Sequence, residues 1–148
     1  MAIPDLSADG VVPPGVFDCT LGEVRQRFGV FQGSDQRPRL FARLAELVAA
    51  MERSGLFEAV LLDGSFVTTK AAPNDIDLIA VLPASHNFER ELTASEYALV
   101  SRSLLKGRFG LDVVLAKRDS PLYDTYIEFF GRVREAPHRR KGLLRLRL

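Results

Sequence analysis

The sequence has few of the residues on which disulfide-linked, zinc-binding and membrane proteins depend. Its one cysteine, Cys19, cannot form an internal disulfide and so favours a reducing cytoplasm. The two histidines, His86 and His138, lie in polar stretches and lack the spacing of a zinc site. No apolar run approaches the ~20 residues of a membrane-spanning helix, and residues 1–5 show no signal-peptide pattern. We therefore expect a cytoplasmic protein without a membrane partner.

The composition is that of one globular domain. The chain has 148 residues, of which 47% are hydrophobic and 26% charged, enough for a single core. Residues 1–19 contain prolines and glycines without periodicity, which predicts an extended N-terminal arm. Residues 20–148 are then predicted to form the single domain.

Hydrophobic periodicity predicts four helices and four strands. The helices start at a capping box on Thr20, at Arg39, at a second capping box on Thr93 and at Pro121. The second is predicted to end just before Gly55, and the third at about Lys106. Residues 33–38 are predicted to be a loop. The strands are predicted over residues 57–63, 75–82, 111–116 and 144–148, the last as an edge strand. This order predicts an α/β (α+β) fold with a mixed sheet flanked by helices.

Residues 64–77 carry the most informative motif. Gly64 and Ser65 follow an apolar run, and Asp75 and Asp77 occupy alternate positions at the start of the next. On a strand, residues i and i+2 point to the same face, roughly 6–7 Å apart. Two carboxylates so close favour a bound cation such as magnesium, and a Gly-Ser turn can hold phosphate oxygens. The motif indicates metal-dependent nucleotide chemistry.

The order of strand, Gly-Ser, nine residues and Asp-x-Asp resembles the nucleotidyltransferase superfamily of DNA polymerase beta. Asp112, at the start of the apolar run 111–116, is the candidate for that superfamily's third carboxylate. This likeness covers about residues 55–118. Nearly the whole chain also looks like a small, uncharacterised bacterial group of the superfamily that has the sequence Gly64-Ser65-Phe66-Val67-Thr68. The resemblance implies a minimal polymerase-beta-like fold.

The resemblance also implies roles for these residues. Asp75 and Asp77 would bridge two magnesium ions, and Asp112 would bind the ion that activates the acceptor hydroxyl and would draw off its proton. Gly64 and Ser65 would hold the terminal phosphates of a nucleoside triphosphate. Asn74 stands where the superfamily often has serine. We expect no second domain of the kind that polymerases use to bind an acceptor, so the acceptor stays open.

Three features have two interpretations each. Lys70 is either a cation for the triphosphate or a surface lysine, and Asp63 is either a turn residue or a metal ligand. From Arg132 to the end, seven Lys or Arg accompany one acid, and the cluster Arg139, Arg140 and Lys141 either meets the acceptor or forms a solvated face.

The first functional hypothesis is a magnesium-dependent nucleotidyltransferase. It would move a nucleoside monophosphate, with AMP from ATP expected, onto a protein or RNA hydroxyl. The alternative is an antitoxin-like or regulatory nucleotide-binding subunit that acts mainly through a partner, in the manner of toxin-antitoxin pairs. A third hypothesis, a degenerate nucleotide-binding domain, is less favoured because all three carboxylates are retained.

Overall fold

A mixed sheet with helices flanking it forms the α/β fold that the sequence predicts. The computed structural model describes residues 3–133 and 136–148; the first two residues of the predicted arm and Arg134 of the basic segment lie outside these ranges. The strands are β1 (Val16–Cys19), β2 (Ala59–Asp63), β3 (Asp77–Leu82), β4 (Asp112–Lys117), β5 (Arg132–Val133), β6 (Ala136–Arg140) and β7 (Leu143–Arg147). The helices are α1 (Leu21–Phe28), α2 (Gln36–Ser54), α3 (Ala94–Val100), α4 (Arg102–Phe109) and α5 (Pro121–Phe130), with a 3-10 turn at Ser65–Val67.

The main sheet has the order β1-β7-β2-β3-β4. β7 is parallel to β1 and antiparallel to β2, β2 is antiparallel to β3, and β3 is parallel to β4. β5 and β6 form a separate two-stranded sheet. The parallel pair β3–β4 places the first residues of both strands at one edge of the sheet.

The two faces of the sheet are covered unequally. The larger core lies on the face of Leu62 and Leu78 and includes Leu44 and Met51 of the amphipathic helix α2. On the opposite face, Leu61 and its neighbours pack against side chains of α5. None of the helices in the described part of the chain is long and apolar enough to cross a membrane.

The C-terminal strand lies inside the sheet, so its prediction as an edge strand is wrong. β7 pairs with β1 on one side and β2 on the other. Its alternation arises because Leu144 and Leu146 enter the larger core while Arg145 pairs with Asp18 of β1. The predicted arm therefore supplies an edge strand of the sheet, which short runs of mixed polarity do not reveal.

Two predicted helices have different bounds. The helix predicted from Thr93 to about Lys106 is divided at Ser101, whose side chain accepts a bond from Leu104 N and starts α4. Tyr97 and Leu104, on either side of this break, are 57% and 48% exposed. The loop predicted over residues 33–38 is also wrong in part, since α2 begins at Gln36.

Candidate functional site

The Gly-Ser turn, Gly64 and Ser65, connects the end of β2 to the 3-10 turn. Gly64 has φ 92°, in the region that favours glycine. A Cβ at this position would lie 3.0 Å from Asp77 N and 3.2 Å from Asp75 Oδ1. Glycine is therefore required both for the turn and for the close approach of the segment that carries the two aspartates.

Asp75 is held by the Gly-Ser turn and lies outside the strand. Its Oδ1 accepts hydrogen bonds from Ser65 N at 3.0 Å and from Ser65 Oγ at 2.7 Å, and its carbonyl accepts one from Phe66 N. Because β3 begins at Asp77, the prediction that Asp75 and Asp77 share a strand face by i, i+2 spacing is wrong. The two residues are nevertheless near each other, since Asp77 N and Asp75 Oδ1 lie 3.0 and 3.2 Å from the same Cβ position at Gly64.

Three aspartates form a row across neighbouring strands. Asp63 on β2 is the register partner of Asp77 on β3, and Asp77 is the register partner of Asp112 on β4. Neighbouring strands lie about 4.8 Å apart, so register partners stand side by side on one face. We call Asp63, Asp77 and Asp112 the carboxylate row. It lies on the face that α5 covers, because Leu61, Ile79 and Val114, two residues further into each strand, belong to that core.

Crowding of negative charge dominates the electrostatics of the row. Burial, followed by the charges of Asp75, Asp63 and Asp112, raises the pKa of Asp77 to about 6. Burial also raises the pKa of Asp63, against the opposing effect of Lys141. In both cases the ionised form is destabilised by desolvation and like charge, and a cation would relieve it.

Arg102 contacts the third carboxylate. Its Nε and Nη2 donate to the two oxygens of Asp112 at 2.8 and 2.9 Å, which lowers the pKa of that carboxyl group. The helix break at Ser101 places Arg102 in the first turn of α4. No sequence signal indicated this pair, because it depends on that break.

Lys141 also belongs to this site. Its Nζ lies 2.8 Å from Asp63 Oδ1, and its side chain is 18% exposed. The other members of the predicted acceptor cluster are ion-paired elsewhere, Arg139 with Asp9 and Arg140 with Glu128. The structure therefore separates Lys141, beside the carboxylate row, from two exposed arginines.

Arg37, which sequence reasoning missed, fixes the loop after the Gly-Ser turn. It is 1% exposed and donates to the carbonyl oxygens of four residues, Phe28, Phe66, Thr68 and Lys70. Its guanidinium carbon lies 6.0 and 5.6 Å from the ring centroids of Phe28 and Phe66, and burial lowers its pKa. The sequence feature that could have identified Arg37 is its helical spacing with Leu40 and Leu44, which places position 37 on the buried face of α2.

The predicted site residues fall into two groups. Gly64, Ser65, Asp75, Asp77 and Asp112 are brought together at one edge of the sheet. Lys70 is exposed, and its carbonyl oxygen accepts a hydrogen bond from Arg37 Nη2. Both interpretations of its side chain, a cation for the triphosphate or a surface lysine, stay predictions. Among residues 3–133 and 136–148, no group of three or more His, Cys, Asp or Glu side chains has the arrangement of a metal site. Asp112 is instead engaged by Arg102, and Asp75 by Ser65.

A family model described as "Family of unknown function (DUF6932)" matches residues 4–147. No curated protein and no solved structure matches the chain.

Proposed function

The chain belongs to the family of unknown function DUF6932, and from its aspartates we propose that it is a magnesium-dependent nucleotidyltransferase. It would transfer a nucleoside monophosphate, AMP from ATP, to a hydroxyl group of a protein or an RNA in the cytoplasm. The observation that carries the proposal is the register of Asp77 with Asp112, with Asp75 held beside them by Ser65.

The chemistry of the donor set suits magnesium, although Ser65 and Arg102 engage Asp75 and Asp112 in this structure. Carboxylate oxygens are the ligands that this hard cation prefers, and Asp75, Asp77 and Asp112 would hold it. The raised pKa of Asp77 supports this assignment, because its causes are burial and neighbouring carboxylates, both of which a bound cation offsets. When bound, magnesium would stabilise the negative charge that develops on the attacking and leaving oxygens.

The chain's own residues would position the reactants. The Gly-Ser turn would offer the Gly64 and Ser65 backbone N–H groups to the terminal phosphates, for which Ser65 N–H has to leave Asp75 Oδ1 and Gly64 N–H has to leave the carboxylate of Asp63. Asp112 would accept the proton of the acceptor hydroxyl as the new bond from oxygen to the α-phosphorus forms and the bond to pyrophosphate breaks. For this step Arg102 has to release at least one oxygen of Asp112.

The acceptor would be recruited by the basic segment around Arg139, Arg140 and Lys141. The two arginines are about half exposed, so a phosphate or carboxylate of the acceptor can compete with their surface partners. Lys141 is less available, because it is ion-paired with the buried Asp63. The arginines are the better-supported part of the acceptor surface.

The proposal is tested by labelling. Purified protein is incubated with magnesium, ATP labelled at the α-phosphate, and cell extract, and the label is followed into protein and RNA fractions. Asp77→Asn should abolish labelling. Asp119→Asn is the matched control, because Asp119 is exposed and its positive φ of 62° suits asparagine. Labelling by Asp77→Asn at the wild-type rate would contradict the proposal.

The regulatory alternative gives a different result. The observation that favours the regulatory alternative is the bidentate Arg102–Asp112 pair, because Arg102 occupies both carboxylate oxygens that catalysis would need. In that case wild-type protein and Arg102→Ala would both bind ATP with magnesium, and neither would label any fraction.

A further inference from the structure

A pocket of about 430 Å³ opens at the ends of β3 and β4, away from the carboxylate row. Leu82 and Lys117, the last register pair of these strands, border it, whereas Asp77 and Asp112 are the first pair. Strands of this length place the two ends about 16 Å apart. The pocket is therefore a separate feature, of a size common for small-molecule sites.

The walls of the pocket are mostly apolar. Leu92, Val100 and Leu115 line it and are partly buried against the larger core. Phe88, on the loop between β3 and α3, also lines it, although this side chain is 67% exposed. A ligand that covers Phe88 would remove apolar surface from water, which is favourable.

The charge of the lining has one sign. The titratable side chains that line the pocket are His86, Arg90 and Lys117, and no acidic side chain of the described residues is among them. Arg90 is neutralised at the rim by Glu96, at 3.0 Å. Burial, followed by the charges of Arg90 and Lys117, lowers the pKa of His86, which favours the neutral imidazole. The lining thus has one uncompensated charge, on Lys117.

Lys117 is available to a ligand. Its Nζ lies 5.8 Å from the centroid of the Phe88 ring, and it forms no ion pair with a described residue. Ser120, the N-cap of α5, also lines the pocket, so the N-terminus of that helix borders the same space. An amine and a helix N-terminus beside apolar walls complement a single negative charge on an apolar body.

We propose that this pocket binds a small apolar monocarboxylate, with its carboxylate at Lys117 and its body against Leu92, Val100 and Leu115. A neutral apolar molecule would leave the Lys117 charge without a partner, and a cation would be repelled. A nucleoside triphosphate carries more charge than one free lysine can neutralise. The pocket does not depend on the proposed nucleotidyl transfer.

The test uses three eight-carbon probes that differ only in the head group. Octanoate, octanol and octylammonium are titrated calorimetrically into the full-length protein, with chelator present and ATP absent, so that failure of the proposed transferase activity has no bearing on the result. We expect octanoate to bind at least tenfold more tightly than octanol and octylammonium not to bind. No binding of octanoate, or equal binding of the three probes, would overturn the proposal.

Variants of residues that line the pocket test whether octanoate binds there. Lys117→Met and Lys117→Gln should each weaken octanoate binding at least tenfold and leave octanol binding unchanged. Lys106→Met is the matched control, because Lys106 is an exposed lysine outside the pocket. Val100→Trp should fill the space and remove binding of both molecules. Circular dichroism identifies variants that fold, and octanoate binding that is equal in folded Lys117 and Lys106 variants would exclude the pocket.

Discussion

Asp77 and Asp112 stand side by side as the first residues of two parallel strands. Asp63 stands on the other side of Asp77 in the same register. Asp77 is thus flanked by carboxylates on both neighbouring strands while it is itself partly buried, and its pKa is raised to about 6 for these reasons. The arrangement costs stability in the absence of a cation, and that cost can be measured.

We predict that Asp77→Asn has an unchanged or higher melting temperature in chelator, although it loses nucleotidyl transfer. The substitution removes one negative charge from a crowded, partly desolvated site and keeps the shape of the side chain. Differential scanning calorimetry near pH 7.5, where the Asp77 carboxyl is ionised, gives the comparison. A lower melting temperature than Asp119→Asn would mean that the Asp77 charge stabilises the fold.

The second prediction is that ATP raises the melting temperature only with magnesium. A ligand at 100 times its dissociation constant stabilises the native state by about 2.7 kcal/mol. Ser65→Ala should reduce this shift, because Ser65 Oγ donates to Asp75 Oδ1 at 2.7 Å and accepts from Asn74 N at 3.2 Å. Ser95→Ala, an exposed serine of α3, is the control. Equal shifts with magnesium and with chelator would refute a metal site at these aspartates.

We predict that Arg37→Met destabilises the protein strongly. Arg37 donates to four carbonyl oxygens that the substitution leaves without this donor, and a buried unsatisfied group costs about 1–3 kcal/mol. We expect a loss of about 2–5 kcal/mol in the free energy of unfolding, measured in urea. Arg39→Met, two residues further along α2, removes only an exposed i, i+4 pair with Asp35 and should cost less than about 0.5 kcal/mol. Similar losses in the two variants would contradict the assigned role.

These residues also indicate how far the sequence determines the site. The Gly-Ser turn and the aspartates could be predicted because their constraints are local: a positive φ at Gly64 and acids at the starts of apolar runs. The contact of Arg102 with Asp112 could not be predicted. It depends on the break between α3 and α4 at Ser101, and the sequence on both sides of Ser101 is compatible with one continuous helix. The α/β fold followed from the order of elements, whereas the place of β7 depends on pairing with β1, a contact across more than 120 residues of chain.

The pair between Asp18 and Arg145 should make stability depend on acid pH. Hydrogen bonds from Arg145, together with those from Arg147, lower the pKa of Asp18 to about 2, from 3.8. Because the folded-state pKa is the lower one, this stabilisation is present above pH 3.8 and is lost as the pH falls towards 2. Asp18→Asn should therefore flatten the decline of urea midpoints between pH 4 and pH 2. Parallel profiles for the variant and wild type would show that the pair does not act in this way.

The last prediction is that Arg139 and Arg140 of the basic segment have a different role from Lys141. Arg139 and Arg140 are exposed and pair with Asp9 and Glu128, so their replacement by Gln should weaken transfer to the acceptor and leave the ATP-dependent thermal shift unchanged. If the acceptor is RNA, its affinity should fall steeply with salt, by a slope that the double variant reduces. Lys141→Met should instead alter the ATP shift, because Lys141 is ion-paired with Asp63 and offsets the negative charge around Asp77. Unchanged transfer in the Arg139→Gln, Arg140→Gln variant would leave the two arginines as a solvated face that takes no part in acceptor binding.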